Sequence, residues 1–166
     1  SSCASNEGRA ESSMNYSLVM LQLPLVRETT KERIRSPSDV AKVCSDLELL
    51  AQETFHVLLL NAKNYLINRH MVTLGIADAS LVHAREIFKI AVSEGATAAI
   101  VMVHNHPSGD PAPSAEDIRI TKQIIEAGKI LGIPVQDHVI IGRNSESGRN
   151  FTSLRESGVC EFSAAA

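Results

Sequence analysis

The chain has 166 residues, 44% of them hydrophobic, and a formal net charge of −3, which suits one domain with a substantial core and argues against the basic stripe that phosphate backbones usually attract, leaving at most a local patch. Cys3, Cys44 and Cys160 are odd in number, far apart and without a CxxC pair, so neither a disulfide framework nor a thiolate zinc site is indicated and a reducing cytoplasm is expected. No apolar run approaches the roughly 18 to 20 residues of a spanning helix, and the start lacks the regions of a signal peptide, so no membrane partner is expected.

Residues 1 to 35 begin with "SSCASNEGRAESS", small, polar and without an initiating methionine. They are expected to form a disordered or artificially appended arm, with Met14 as a candidate natural start and "EFSAAA" as a matching tail. Residues 36 to 160 carry the domain. "SPSDVAKVCSDLELLA" predicts a helix with Ser36 as N-cap, Pro37 in its first turn and Asp39 at the box position, its stripe being Val40, Val43, Cys44 and Leu47. "TFHVLLLNAKNYLINRHMVTLG" predicts two strands joined by a turn at 61 to 64. "VHAREIFKIAVSEG" places Ile87, Ile90 and Ala91 at helical spacing and stops at Gly95, after which "TAAIVMV" is a strand buried on both faces. "SAEDIRITKQIIEAGKILG" is helical, with Ile118, Thr121, Ile124, Ile125 and Leu131 as its inner stripe. "VQDHVIIG" is a strand, "RNSESGRN" a loop and "FTSL" an edge strand. The order predicts a single α/β domain of three layers, a mixed sheet covered by helices.

The chemistry lies in "HNHPSGDPAPSAED", residues 104 to 117. Side chains two apart on an extended chain point the same way, so His104 and His106 face one point while Asn105 turns aside. Ser114 stands at a helix N-cap and Asp117 at N3, where the helix dipole favours an anion. Prolines 107, 111 and 113 restrict the loop and help return the helix start towards the histidines. Two imidazoles and one carboxylate suit Zn²⁺ with a fourth position left for water, whose pKa such an ion lowers to roughly 7. Glu53, just before the strand "TFHVLLL", is the candidate base, although spacing alone favours a solvated helix-end acid. The Ser114 hydroxyl has lone pairs for a backbone N–H and one proton to donate towards an oxyanion. His138 beside Asp137 reads first as a hydrogen-bonded structural pair and second as a group orienting a ligand. His83 reads as helix-start polarity, with contact to the same region as its alternative. Cys44 reads as core.

The string His104-Asn105-His106-Pro107, then Ser114 and Asp117, with Glu53 upstream, resembles the JAMM (MPN+) metalloenzyme signature. "FHVLLLNAKNYLI", "VHAREIFKIAV", "HNHPSGDPAPSAEDIRIT", "GIPVQDHVIIG" and "FTSLRESG" resemble, in order, the RadC family of JAMM-domain proteins from about Ser36 to Gly158. Ile76 and Ala84 depart from that family's usual Thr and Pro and leave every metal position intact. The resemblance implies a cytidine-deaminase-like α/β JAMM fold and one Zn²⁺ held by His104, His106 and Asp117. It also implies Glu53 as general base, Ser114 assisting the tetrahedral intermediate, and hydrolysis of a peptide or isopeptide bond, including bonds to ubiquitin-like proteins. A DNA-processing role, after the family's repair label, and a non-catalytic binding module are the alternatives. Two-metal nuclease chemistry wants several clustered carboxylates, and the sequence offers only Asp110, Glu116 and Asp117 beside the histidines. A nucleobase deaminase needs HxE and a later PCxxC, and neither occurs.

Overall fold

The computed structural model describes residues 32–74, 82–143 and 146–163. The expectations for Cys3, Met14, Ile76 and the far end of the tail lie outside the described residues.

Helix α1 (Pro37–Val43) starts in a complete capping box: Ser36 Oγ accepts the Asp39 N–H and the Asp39 carboxylate accepts the Ser36 N–H. The predicted helix does not continue to residue 51. It breaks at Cys44 into a short 3₁₀ segment, Ser45–Leu49. The tighter winding buries Leu47 while Asp46 makes a two-pronged ion pair with Arg69 of the neighbouring hairpin, both contacts 2.7 Å. Cys44 is fully buried, and burial pushes its thiol up to about 11, so it behaves as core.

Strands β1 (Thr54–Leu60) and β2 (Leu66–Leu74) form the expected hairpin. Asn61 Oδ1 accepts the N–H groups of Lys63 and Tyr65, and Asn64 takes the left-handed conformation at φ 64°, the turn chemistry for which asparagine is suited. Helix α2 (Ala84–Ser93) follows and is closed by Gly95 at φ 66°. His83 stands at its N-cap but makes no side-chain cap bond and is exposed, so the polar role expected for it is not realised. Strand β3 (Ala99–Asn105), helix α3 (Ala115–Leu131), strand β4 (Val135–Ile141) and strand β5 (Phe151–Ser153) complete the domain.

The sheet order is β2-β1-β3-β4-β5, with β3 and β4 parallel and the other neighbours antiparallel. Alternation along each strand divides the core into two layers. Phe55, Val57, Leu59, Ile100, Met102 and Ile140 pack under α2 and α3. Leu58, Leu60, Val101, Val103, Val139 and Ile141 pack under α1 and the 3₁₀ segment. The fold is therefore the three-layer mixed-sheet α/β arrangement that the pattern predicted. One detail differs: Leu131 is half exposed, and the buried side of α3 runs through Asp117, Ile120, Thr121, Ile124, Ile125 and Gly128. Gly128 packs so close to the Ile133 carbonyl, Val135 of β4 and the Phe88 ring that a side chain there would collide with them.

Candidate metal centre

Strand β3 is central, flanked by β1 and β4, and its last residues carry the histidines to the rim. His104 is the final residue of the β1–β3 ladder, opposite Phe55, whose ring stacks on it with centroids 5.7 Å apart. His106 lies one step beyond the strand, its N–H held by the Ile141 carbonyl of β4 at 2.9 Å. Asp117 arrives from the start of α3 through a second capping box. Ser114 Oγ accepts the Asp117 N–H at 3.0 Å, and Asp117 Oδ2 accepts the Ser114 N–H at 2.8 Å. The box that starts the helix also aims the carboxylate.

These groups and Glu53 converge. His104 Nε2 stands 2.9 Å from His106 Nε2 and 3.3 Å from Asp117 Oδ1, and His106 Nε2 is 3.2 Å from Asp117 Oδ2. Glu53 Oε1 is 3.8 Å from His104 Nε2. One donor atom from each of the four lies within 4.8 Å of the others. Donors about 2.0 to 2.1 Å from a tetrahedral ion stand about 3.3 Å apart, so the spacing fits. His104 is fully buried and Asp117 nearly so, while Glu53 and His106 are about one-sixth exposed and form the side open to solvent.

Proton bookkeeping decides what the cluster can hold. Thr121 Oγ1 donates to the Asp117 carbonyl at 2.5 Å, so it accepts from His138 Nδ1–H at 2.6 Å. His138 Nε2 is then a lone pair and accepts His104 Nδ1–H at 2.7 Å. His106 Nδ1–H donates to the Asp110 carbonyl at 2.8 Å. A neutral imidazole has one N–H, so both rings present Nε2 lone pairs to the same point, beside a carboxylate. Three lone-pair donors meeting at one point suit a cation, and this donor set fits a metal ion.

The titration behaviour agrees. Burial alone would raise the Asp117 carboxyl, but the two imidazoles, the helix-start N–H and their charge hold it far below the usual range. Burial alone would lower His106, yet Asp117, the Asp110 carbonyl and Glu53 leave it raised overall. His138 is driven well below its ordinary value by complete burial, and proximity to His104 adds to this, so it stays neutral and serves as an acceptor. A raised His106 contributes stability to the metal-free chain that is fully present below about pH 6.5 and is lost as pH rises through its folded value. Metal needs that nitrogen unprotonated, so its affinity moves the other way. Thermal unfolding is therefore expected to show the chelator-stripped chain losing stability from pH 6 to 8 and the gain on adding zinc growing over the same range.

The residues between the ligands are fixed as well. Gly109 adopts φ 90°, its carbonyl accepts the Arg143 N–H at 2.7 Å, and the Arg143 guanidinium reaches the Pro107 and Glu48 carbonyls at 2.6 and 3.0 Å. A Cβ on Gly142 would fall on the Gly109 carbonyl and lie 2.9 Å from Pro111 Cδ. These are largely backbone atoms, so Gly142→Ala is expected to displace the loop, destabilise the chain by about 1–3 kcal/mol and weaken metal binding through the His106–Asp110 bond. Unfolding curves with and without zinc check both.

Of the residues singled out in the sequence, Glu53, His104, His106 and Asp117 are brought together. The Ser114 hydroxyl is engaged as a helix cap. Asp110 Oδ1 caps the Ala112 N–H and Glu116 pairs with Arg119, so neither acid joins the cluster. His138 corrects the sequence reading. Its ring bonds His104 and Thr121, while the Asp137 carboxylate, pushed up by burial, accepts from Ser153 Oγ at 2.6 Å and from the N–H groups of His138 and Arg155. Strand parity was the available signal: adjacent residues face opposite ways, so Asp137 never shared His138's side.

Residues 34–159 match the RadC-like JAB domain. The chain belongs to that family. It is 50% identical over 131 residues to a UPF0758 protein of Desulforamulus reducens, covering 78% of this chain and 55% of the relative. To a UPF0758 protein of Listeria innocua it is 46% identical over 138 residues, 82% of this chain and 59% of the relative. The chain spans little more than half the length of these curated relatives. Membership agrees with the mixed five-stranded sheet and with the Glu/His/His/Asp group at its rim. Among the described residues no helix is long and apolar enough to cross a membrane.

Proposed function

We propose that this JAB domain is a zinc-dependent hydrolase of JAMM type that cleaves peptide or isopeptide bonds. The observation that carries the reading is the convergence of two Nε2 lone pairs and the Asp117 carboxylate on one point, with a second carboxylate, Glu53, on the open side. His104, His106 and Asp117 would hold the ion. A divalent cation there supplies a Lewis acid for a carbonyl oxygen and brings the pKa of water to roughly 7. Glu53, at the solvent side of the cluster, takes the proton of the attacking water and returns it to the leaving amine. Ser114 keeps its own hydroxyl proton while accepting at the helix start, and that proton is the candidate donor to the developing oxyanion. The substrate in this reading is a peptide or a ubiquitin-like protein conjugate. The positions of Asp110 and Glu116 support amide over two-metal phosphodiester chemistry, which uses clustered carboxylates.

The test is hydrolysis of a library of peptides and ubiquitin-like fusions by the purified chain, with and without chelator. Glu53→Gln is expected to be fully loaded at saturating zinc and still lose about 10²- to 10⁴-fold in rate. Chelator-resistant cleavage, or a Glu53→Gln protein at full rate, overturns the proposal, as does cleavage of labelled DNA in place of amides.

A further inference from the structure

Asn105 separates the two ligand histidines, and strand parity sends its side chain to the face opposite His104. It is 1% exposed. Its Oδ1 accepts both the Thr54 N–H and the Thr54 hydroxyl at 2.8 Å, and its Nδ2 donates to the Gln52 carbonyl at 2.9 Å. Residues 52 and 54 flank Glu53. The β1–β3 register ends at Phe55 opposite His104, and one residue further on the Asn105 amide stands where the next backbone rung would be. Thr54 Oγ1, having given its proton to Asn105, accepts from His56 Nε2 at 2.9 Å. Burial, helped by the Arg69 charge, lowers His56 to about 4, so this chain of amide, hydroxyl and imidazole carries no charge.

By the same parity Glu53 shares the face of Phe55 and His104. We propose that Asn105, with Thr54, is a positioning residue for Glu53: it grips the peptide units on both sides of that residue and thereby aims its carboxylate at the metal centre. The residue between the two histidines thus ties the base to the strand that carries the ligands, so one element sets both. A packed core needs no such group, since an apolar side chain on the face that carries Val101 and Val103 would avoid burying an amide, whose bonds all go to the Glu53 segment. Displacements of about 1 Å are enough to lower a rate by about a hundredfold.

The inference rests on the metal-centre reading above, and cobalt(II) alone tests it without a substrate. Cobalt is titrated into the chelator-stripped full chain as wild type, Glu53→Gln, Asn105→Ala, the double variant and Thr54→Val, reading affinity and the visible absorption band, with circular dichroism as the control for folding. Glu53→Gln is expected to weaken binding roughly tenfold, the low end for an outer-shell partner, and to change the band. Asn105→Ala is expected to reproduce both effects, the double variant to add less than twofold, and Thr54→Val, which removes one bond of three, to fall between. Asn105→Ala with the wild-type affinity and band, or a double variant whose loss is the product of the single losses, overturns the inference and leaves the metal centre standing. Wild type without cobalt overturns the metal-centre reading and the inference with it, whereas Glu53→Gln identical to wild type overturns the inference and leaves the three-ligand site standing. If Asn105→Ala does not fold, Thr54→Val decides: full wild-type values overturn the proposal, intermediate ones support it.

Discussion

His104→Ala is expected to abolish one-to-one zinc binding and, with it, the stabilisation that zinc confers. A ligand present at a thousand times its dissociation constant stabilises the folded state by about 4 kcal/mol, and that increment disappears when one of three protein ligands goes. The metal-free comparison is smaller because two effects oppose. Removing the imidazole leaves the His138 Nε2 acceptor buried without its 2.7 Å partner, which costs about 1–3 kcal/mol. It also removes one of three lone-pair donors crowded within 3.3 Å, which relieves repulsion. The melting temperatures of the two proteins should therefore differ far more in zinc than in chelator. Calorimetry in both conditions, with metal content by mass spectrometry, checks this. A His104→Ala protein that retains full zinc content removes the cluster from consideration as a metal site.

What was legible in the sequence was local. The histidines are two residues apart and the cap and its acid three apart, so strand parity and the capping box alone placed them on common faces. The hairpin was readable from Asn61 and Asn64, and the ends of α2 and α3 from Gly95 and Gly132, each of which takes a positive φ. What was not legible depends on pairing between distant strands. Glu53 reaches the site only because β1 pairs with β3 in the register Phe55 opposite His104. His138 reaches it because β4 runs parallel to β3 with Ile140, not His138, opposite His104, so that the two rings meet diagonally. No local spacing encodes either register. Sequence adjacency misled in pairing His138 with Asp137, because neighbours along a strand belong to opposite layers. The break of the first helix at Cys44 is accompanied by the Asp46–Arg69 ion pair, which again joins residues 23 apart.

The relay through His138 leads to the second large effect. Substituting phenylalanine puts a ring one atom larger in a fully buried position and removes both ring bonds. Thr121 still donates to the Asp117 carbonyl, so its hydroxyl keeps a partner. His104 Nδ1–H does not, and an unmet buried donor costs about 1–3 kcal/mol. The ring escapes that cost by moving its proton to Nε2, where Asp117 and His106 stand 3.3 and 2.9 Å away to receive it. That tautomer places a proton where the cation belongs, so zinc must displace it. His138→Phe is accordingly expected to bind zinc about 10- to 100-fold more weakly, the usual cost of losing an outer-shell partner. His138→Gln offers a carbonyl to His104 and an amide N–H to Thr121, so it should recover much of the loss, which separates relay from packing. A competition titration against a zinc-sensitive dye at fixed pH measures both variants. His138→Phe binding zinc as tightly as wild type would mean that the ligand tautomer is set elsewhere.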